Sequence, residues 1–404
     1  MGGEPRYGWM IVAALGVTET VSYGILAYAF SVLLVPMQHD LGWSRPTLTG
    51  AYSLAILVSG VASIWVGRLL DRRSPRLVMS LGSALAAVLV FAWSRISSVL
   101  ELYLVFAGLG VAMALVLYEP AFIVVTKWFN VRRRAALTTL TLIAAFASFI
   151  FSPLTQSLQE AHGWRQALAV LALVLAVVTI PLHALVLRRH PDVNEHRVAR
   201  NKVGRRQLLR RHSFWLLNAA FVLNAFATAA IAVHLIPLLV DHGHRATFAA
   251  FAAGLLGLAQ IPGRLVFAVV ARRIGVSAVP PAVFALAAAA LILLAVNRSP
   301  TAILIFVVAF GMSNGMSTLL RATLVGDLYG AESFGAISGL FSASTLGARA
   351  VAPFAAALIG LSPGHDTTLL VVLALASAIA AGVASRGTRV HSRLLLPALP
   401  EAAQ

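Results

Sequence analysis

Apolar segments of bilayer-crossing length recur along the whole chain, near residues 9–35, 46–67, 77–94, 99–126, 135–158, 165–187, 213–239, 247–271, 276–296, 301–326, 335–360 and 367–385. A transmembrane helix needs about 20 consecutive apolar residues. The expected fold class is therefore an all-α membrane protein with twelve transmembrane helices. Composition agrees, with 59% hydrophobic and 11% charged residues where a soluble domain carries about 25% charged. The first apolar segment is too long for a signal peptide, has no small-residue cleavage site and flows into the polar hairpin MQHDLGWSRP. It is expected to be the first helix of the protein rather than a cleaved leader.

A net charge of +17 would fit a nucleic-acid partner, but the position of the charges argues otherwise. If the N-terminus is inside, the inner segments hold Arg6, Arg68, Arg72, Arg73, Arg76, Lys127, Arg132 to Arg134, the cluster from Arg188 to Arg211, Arg272, Arg273, Arg321, Arg386, Arg389 and Arg393. The outer loops hold only Arg45, Arg95, Arg165, Arg245 and Arg298. Lys and Arg concentrated in cytoplasmic loops orient a membrane protein. Both termini are thus expected in the cytoplasm, the partner is the lipid bilayer, and no nucleic acid is expected. Cysteine is absent, which excludes disulfides, thiolate metal sites and cysteine nucleophiles. DHGHR at 241–245 offers two histidines and one acid without further ligands, so neither a metal site nor a cofactor is expected.

The longest polar stretch, RRHPDVNEHRVARNKVGRRQLLRRH, lies midway. It divides the chain into an N-terminal six-helix bundle at 1–187, a basic cytoplasmic linker at 188–212 with room for a short surface helix, a C-terminal six-helix bundle at 213–385 and a loosely ordered tail at 386–404. The bundles repeat with a shift of 200 residues, which pairs Arg45 with Arg245, Thr47 with Thr247, Arg72 and Arg73 with Arg272 and Arg273, Phe129 with Tyr329, and Pro153 with Pro353. Internal repeats of this kind characterise secondary transporters with a site near the midplane.

GRLLDRRSPR at 67–76 has the spacing Gly-x-x-x-Asp-Arg-x-x-x-Arg. Gly67 is expected to allow close helix approach. Asp71 suits a pairing with a cation of a neighbouring helix, and Arg72 and Arg76 suit capping of helix carbonyls or pairing with acids. This stretch resembles the loop motif of the major facilitator superfamily. The resemblance implies two pseudo-symmetric six-helix bundles rocking about a central cavity, with Gly67, Asp71, Arg72, Arg76 and Arg133 at a cytoplasmic gate. The second half has Ala271 where Asp71 maps, so an asymmetric gate is expected. KWFNVRRRAAL at 127–137 and GWMIVAA at 8–14 resemble signatures of the monocarboxylate porter family, which implies a small organic anion as substrate. That family's eighth-span Asp-x-x-x-Arg pattern reads QIPGR here, with Gln260 in place of the acid and Arg264 retained.

Arg264 interrupts an apolar run at a cost of at least ~2.5 kcal/mol. It lies eight residues before Arg272, which places it ~12 Å in from the cytoplasmic helix end. It either snorkels or offers its planar fork to a substrate carboxylate, with Gln260 and Tyr23 as further candidate contacts. Arg349 either lines the same cavity or pairs within its bundle. Ser338, Ser342, Thr345 and Arg349 share one helical face, and Thr138, Thr141, Ser148 and Ser152 form a stripe in the repeat-related fifth span, for cavity lining or helix packing. Glu19, with Ser22 and Tyr23 on its face, and Glu119, beside Pro120, are acids at membrane depth. A charged carboxylate there is costly, which suits each acid either to carry a proton or to neutralise an arginine. His183 and His234 are expected at the membrane interface.

No HExxH, GxSxG or DxxD-type cluster stands in any span, so an enzyme is not expected. The reading is a proton-coupled secondary transporter of a small organic anion, a monocarboxylate, working by alternating access as a monomer. The alternatives are proton-driven efflux of drugs or metabolites, and a non-transporting membrane sensor on the same fold. The Arg- and Ala-rich, Lys-poor usage points to a GC-rich bacterium and its inner membrane.

Overall fold

The computed structural model describes residues 6–129, 132–188, 212–275, 277–359 and 366–395, without the side chains at 71, 72, 133, 134, 268, 319, 321–342 and 389–395. The described residues are helical and contain no strand. Among the described residues ten helices are long and apolar enough to cross a membrane. The first four spans are Arg6–Leu41, Arg45–Leu70, Pro75–Trp93 and Val99–Trp128. Ala135–Val186 is two helices joined at Gly163, whose φ of 79° favours glycine, and it supplies the fifth and sixth spans. His212–Asp241, Ala246–Phe267, Val279–Val296 and Pro300–Thr318 are the seventh to tenth. The shorter apolar helix Ala343–Ile359 is the eleventh, and Thr367–Thr388 is the twelfth. These are the twelve crossings expected from the apolar pattern.

Local chemistry sets the turns. The first span ends at Gly42, a left-handed cap with φ of 67°. Ser44 then caps the second span by accepting from the Thr47 N–H, and Ser98 and Glu101 form a reciprocal capping box at the start of the fourth. Apolar side chains on the outside of the spans, such as Ile64, Leu81, Val88 and Leu104, are 60 to 65% exposed, as a lipid-facing surface requires. The last helix, Asp366–Leu395, runs past residue 385, and the rest of the expected tail, 396–404, lies outside the described residues. The basic linker falls outside the described residues from 189 to 211.

The chain divides into two compact units. The first is Met1–Arg197 together with Ile231–Leu258 and Pro353–Leu361. Its core is an aromatic cluster in which Phe30 stacks on Tyr52 at 4.5 Å and packs against Phe106 at 5.6 Å. The second is Val198–Ala230, Ala259–Ala352 and Ser362–Gln404, where Phe221 meets Phe284 edge-on at 5.4 Å.

The expected close approach at Gly67 is corrected, because a Cβ placed there meets nothing within 4 Å. Tight packing falls elsewhere. In the second unit a Cβ on Gly263 would run into the Met312 carbonyl, and one on Gly315 into the Gln260 carbonyl. These two glycines press the eighth span onto the tenth at the turn that carries Gln260 and Arg264.

Candidate functional site

Glu19, Tyr23, Glu119, Gln260 and Arg264 stand within about a turn of an irregularity in their helices. In the first unit the α-helix Arg6–Tyr23 passes into a π-helical turn, Gly24–Tyr28, before regular helix resumes at Ala29. Such turns are rare and concentrate at functional sites. Gly24, the first residue of this one, lets the Phe151 ring approach closely, since a Cβ there would overlap it. The fourth span breaks at Leu117, between helices Val99–Val116 and Tyr118–Trp128. Pro120 lacks the N–H that would bond the Val116 carbonyl. Glu119 sits in the first turn after this break.

The two irregularities meet. Tyr23 and Tyr118 pack ring to ring at 4.6 Å, and Tyr118 stacks on Phe122 at 5.0 Å. Glu19, one turn before Tyr23, is 0% exposed, and neither carboxylate oxygen has a hydrogen-bond partner. The Ser22 hydroxyl beside it is likewise buried without a partner. Glu119 is exposed and lies within electrostatic reach of both Glu19 and Tyr23. The structure thus brings Glu19, Tyr23 and Glu119 together with Tyr118. Sequence reading missed Tyr118, because a tyrosine at a proline-broken turn gives no polar periodicity.

Helix Ala246–Leu258 ends where the first unit gives way to the second, whose helix Gln260–Ile274 follows, and Pro262 lacks the N–H that would bond the Leu258 carbonyl. Interrupted spans with such freed backbone groups line the binding sites of many carriers. Arg264 follows, half-buried, with Nη2 donating to Gln260 Oε1 at 3.4 Å. Its Nε is buried without a partner, and no acid among the described residues pairs with it. Arg349 is exposed. Ser338 and Ser342 fall outside the described side chains, and Thr345 is buried. Asn224 donates to Ser317 at 3.2 Å and Thr228 to Asn314 at 3.2 Å, so these polar groups tie the seventh span to the tenth.

The expected fifth-span stripe divides. Thr138 is exposed and Thr141 donates to the Thr138 carbonyl at 3.0 Å, whereas Ser148 is buried and donates to the Gly254 carbonyl at 3.0 Å. Ser148 is a packing residue, and a Cβ on Gly257 would overlap its hydroxyl.

Both histidines are buried within the protein. His183 bridges Ser83 at 2.8 Å and Thr18 at 3.0 Å, which joins three spans. His234 donates to the Pro353 carbonyl at 2.8 Å.

At the Asp71 end of the first unit Arg76 donates to the Leu187 carbonyl at 3.1 Å and Lys127 to the Leu70 carbonyl at 3.1 Å. The side chains of Asp71, Arg72 and Arg133 lie outside the described set. At the opposite end Arg45 pairs with Asp241 at 2.9 Å and donates to Gln38 at 3.3 Å, while Asp40 accepts from Trp164 at 3.0 Å and pairs with Arg165 at 3.4 Å. With Arg45 and Asp241 side chains 19% and 35% exposed, a double-mutant cycle of Arg45→Ala and Asp241→Ala, read by thermal unfolding, is expected to give only about 0.2–1 kcal/mol of coupling.

The family profile described as Major Facilitator Superfamily matches residues 19–353. The chain belongs to that superfamily. As a member it is a multi-pass membrane transporter by family and fold. It is 24% identical over 270 residues to an uncharacterized MFS-type transporter, YcxA, of Bacillus subtilis, a match that covers 62% of this chain and 64% of that protein. It is 25% identical over 338 residues to monocarboxylate transporter 13 of Rattus norvegicus, covering 80% of this chain and 76% of the relative. Among solved structures, a bacterial homologue of the human lysosomal transporter Spinster superposes with a TM-score of 0.75 at 16% identity, covering 99% of this chain and 100% of the other. A point mutant of the nucleoside transporter NupG superposes at 0.74 with 12% identity, covering 94% and 99%. At these identities the structural likeness concerns the fold alone.

Proposed function

We propose that this chain is a secondary active carrier of a small organic anion, a monocarboxylate, moved by alternating access and coupled to protons. Arg264 carries the reading. It is an arginine at membrane depth, set just after a helix break, with a buried Nε that has no partner and no paired acid among the described residues. A cation so placed is costly unless an anion completes it. A guanidinium matches a carboxylate through two parallel hydrogen bonds. Relatives named monocarboxylate transporters support the substrate class. Gln260 orients the guanidinium, and Tyr23 and Arg349 remain proposed substrate contacts.

Glu19 and Glu119 supply the proton site. Asp71, Arg72, Arg76 and Arg133 latch the cytoplasmic face, both termini lie inside, and the chain works as a monomer in a bacterial plasma membrane. The two six-helix bundles at 1–187 and 213–385 are the moving bodies. The test is uptake of a radiolabelled panel of small carboxylates into proteoliposomes, with and without an imposed inward proton gradient. One monocarboxylate is expected to accumulate faster with the gradient. No uptake of any panel member by folded, inserted protein would overturn the reading.

A further inference from the structure

The two acids of the first unit differ in a way that assigns them different tasks. Glu19 is sealed, with 0% exposure and both oxygens without a donor. Glu119, on the first turn after the Leu117 break, is exposed. They lie within electrostatic reach of one another, and the Tyr23–Tyr118 ring contact fixes the two helices at that depth. The other titratable groups around Tyr23 are Tyr28 on the first span and Tyr118 on the fourth, while His183 on the sixth is held by Thr18 and Ser83. Among the described residues no lysine or arginine forms an ion pair with either acid.

An isolated ionised carboxylate without a donor is among the costliest groups to bury, so Glu19 requires a cation on the carboxyl itself. Sodium is a poorer occupant, because a metal ion needs several oxygens and the site shows the Glu19 carboxylate and Ser22 as its buried unpartnered set. A proton needs one oxygen.

The geometry points to two carboxyl groups acting in series, with Glu119 as the relay that exchanges protons with water and Glu19 as the buried store. In the transfer the Glu119 carboxylic acid gives up its proton, an oxygen of the Glu19 carboxylate takes it, and the negative charge moves from Glu19 to Glu119. Placing the charge on the exposed acid leaves it where water can solvate it. This inference rests on the proposed proton coupling and divides the roles of its two candidate residues.

The test needs no substrate. Infrared spectroscopy of the reconstituted full chain is expected to show a carboxylic C=O band at the high-frequency end of its range, where a carbonyl without hydrogen bonds absorbs. Glu19→Gln is expected to remove this band. Glu119→Gln is expected to keep it but to slow its hydrogen–deuterium exchange by about 100-fold, the scale on which a positioned proton-transfer group acts. Glu119→Asp should restore most of the rate, which a merely structural role would not predict. Folding of each variant is checked by its unfolding transition.

Persistence of the band in Glu19→Gln, unchanged exchange in Glu119→Gln, or conversion of the band to carboxylate by added sodium at constant pH would overturn the assignment. The relay is read from the band without substrate, and the anion reading from carboxylate uptake. A failure of the anion reading and a failure of the relay are therefore distinguishable.

Discussion

Replacing Arg264 by lysine is expected to lower the initial rate of carboxylate uptake by at least ~10-fold, and replacing it by alanine by ~100-fold or more. A hydrogen bond to a charged group is worth about 1.5–3 kcal/mol, and about 1.4 kcal/mol is a factor of ten. Lysine keeps the charge but presents a compact ammonium in place of a planar fork. Stability should change little, since the only hydrogen bond of Arg264 among the described residues is the 3.4 Å contact to Gln260. Initial uptake rates, together with unfolding midpoints of the same preparations, check both halves. A lysine variant as fast as the wild type would mean that a point charge suffices. An alanine variant that loses its fold would return Arg264 to a structural role.

The second large effect concerns how that arginine is held. Alanine is favoured over glycine in a helix interior by about 0.8–1 kcal/mol. At Gly382, where a Cβ meets nothing within 4 Å, Gly→Ala is expected to raise the unfolding temperature. At Gly315 the sign should reverse, because the new methyl would meet the backbone carbonyl of Gln260, which cannot rotate aside. Overpacking of this kind costs about 1–3 kcal/mol. It also displaces the Gln260–Arg264 turn, and a shift of about 1 Å at a binding group costs ~100-fold in rate. Gly315→Ala should therefore lose both stability and transport. Thermal unfolding of the two variants side by side gives the comparison, and an equal response at Gly315 and Gly382 would contradict the packing described for the eighth and tenth spans.

The spans were legible because a bilayer imposes one strong rule on length and polarity. Glu19, Glu119 and Arg264 stood out for the same reason, as ionisable residues in apolar runs. Their surroundings were not legible. The π-turn at Gly24–Tyr28, the packing of Phe151 on Gly24 and the meeting of Tyr23 with Tyr118 are tertiary features that no periodicity encodes.

The pairing of Arg45 with Asp241 joins residues 196 positions apart, and only the fold brings them within reach. Gly67 illustrates the converse error, a glycine in a recognisable motif whose Cβ position is open. The partners of His183 and His234 were not legible either, since hydrogen bonds to Thr18, Ser83 and the Pro353 carbonyl join residues far apart in the chain.

The central claim is that a carboxylate and a proton cross together through a site completed by Arg264. The most direct measurement is the internal pH of proteoliposomes, loaded with a pH-sensitive dye at symmetrical pH, after a carboxylate is added outside. Acidification that follows the added anion in the wild type and is absent in Arg264→Ala is the predicted result. Carboxylate entry without any change of internal pH, or acidification that persists in Arg264→Ala, would contradict it.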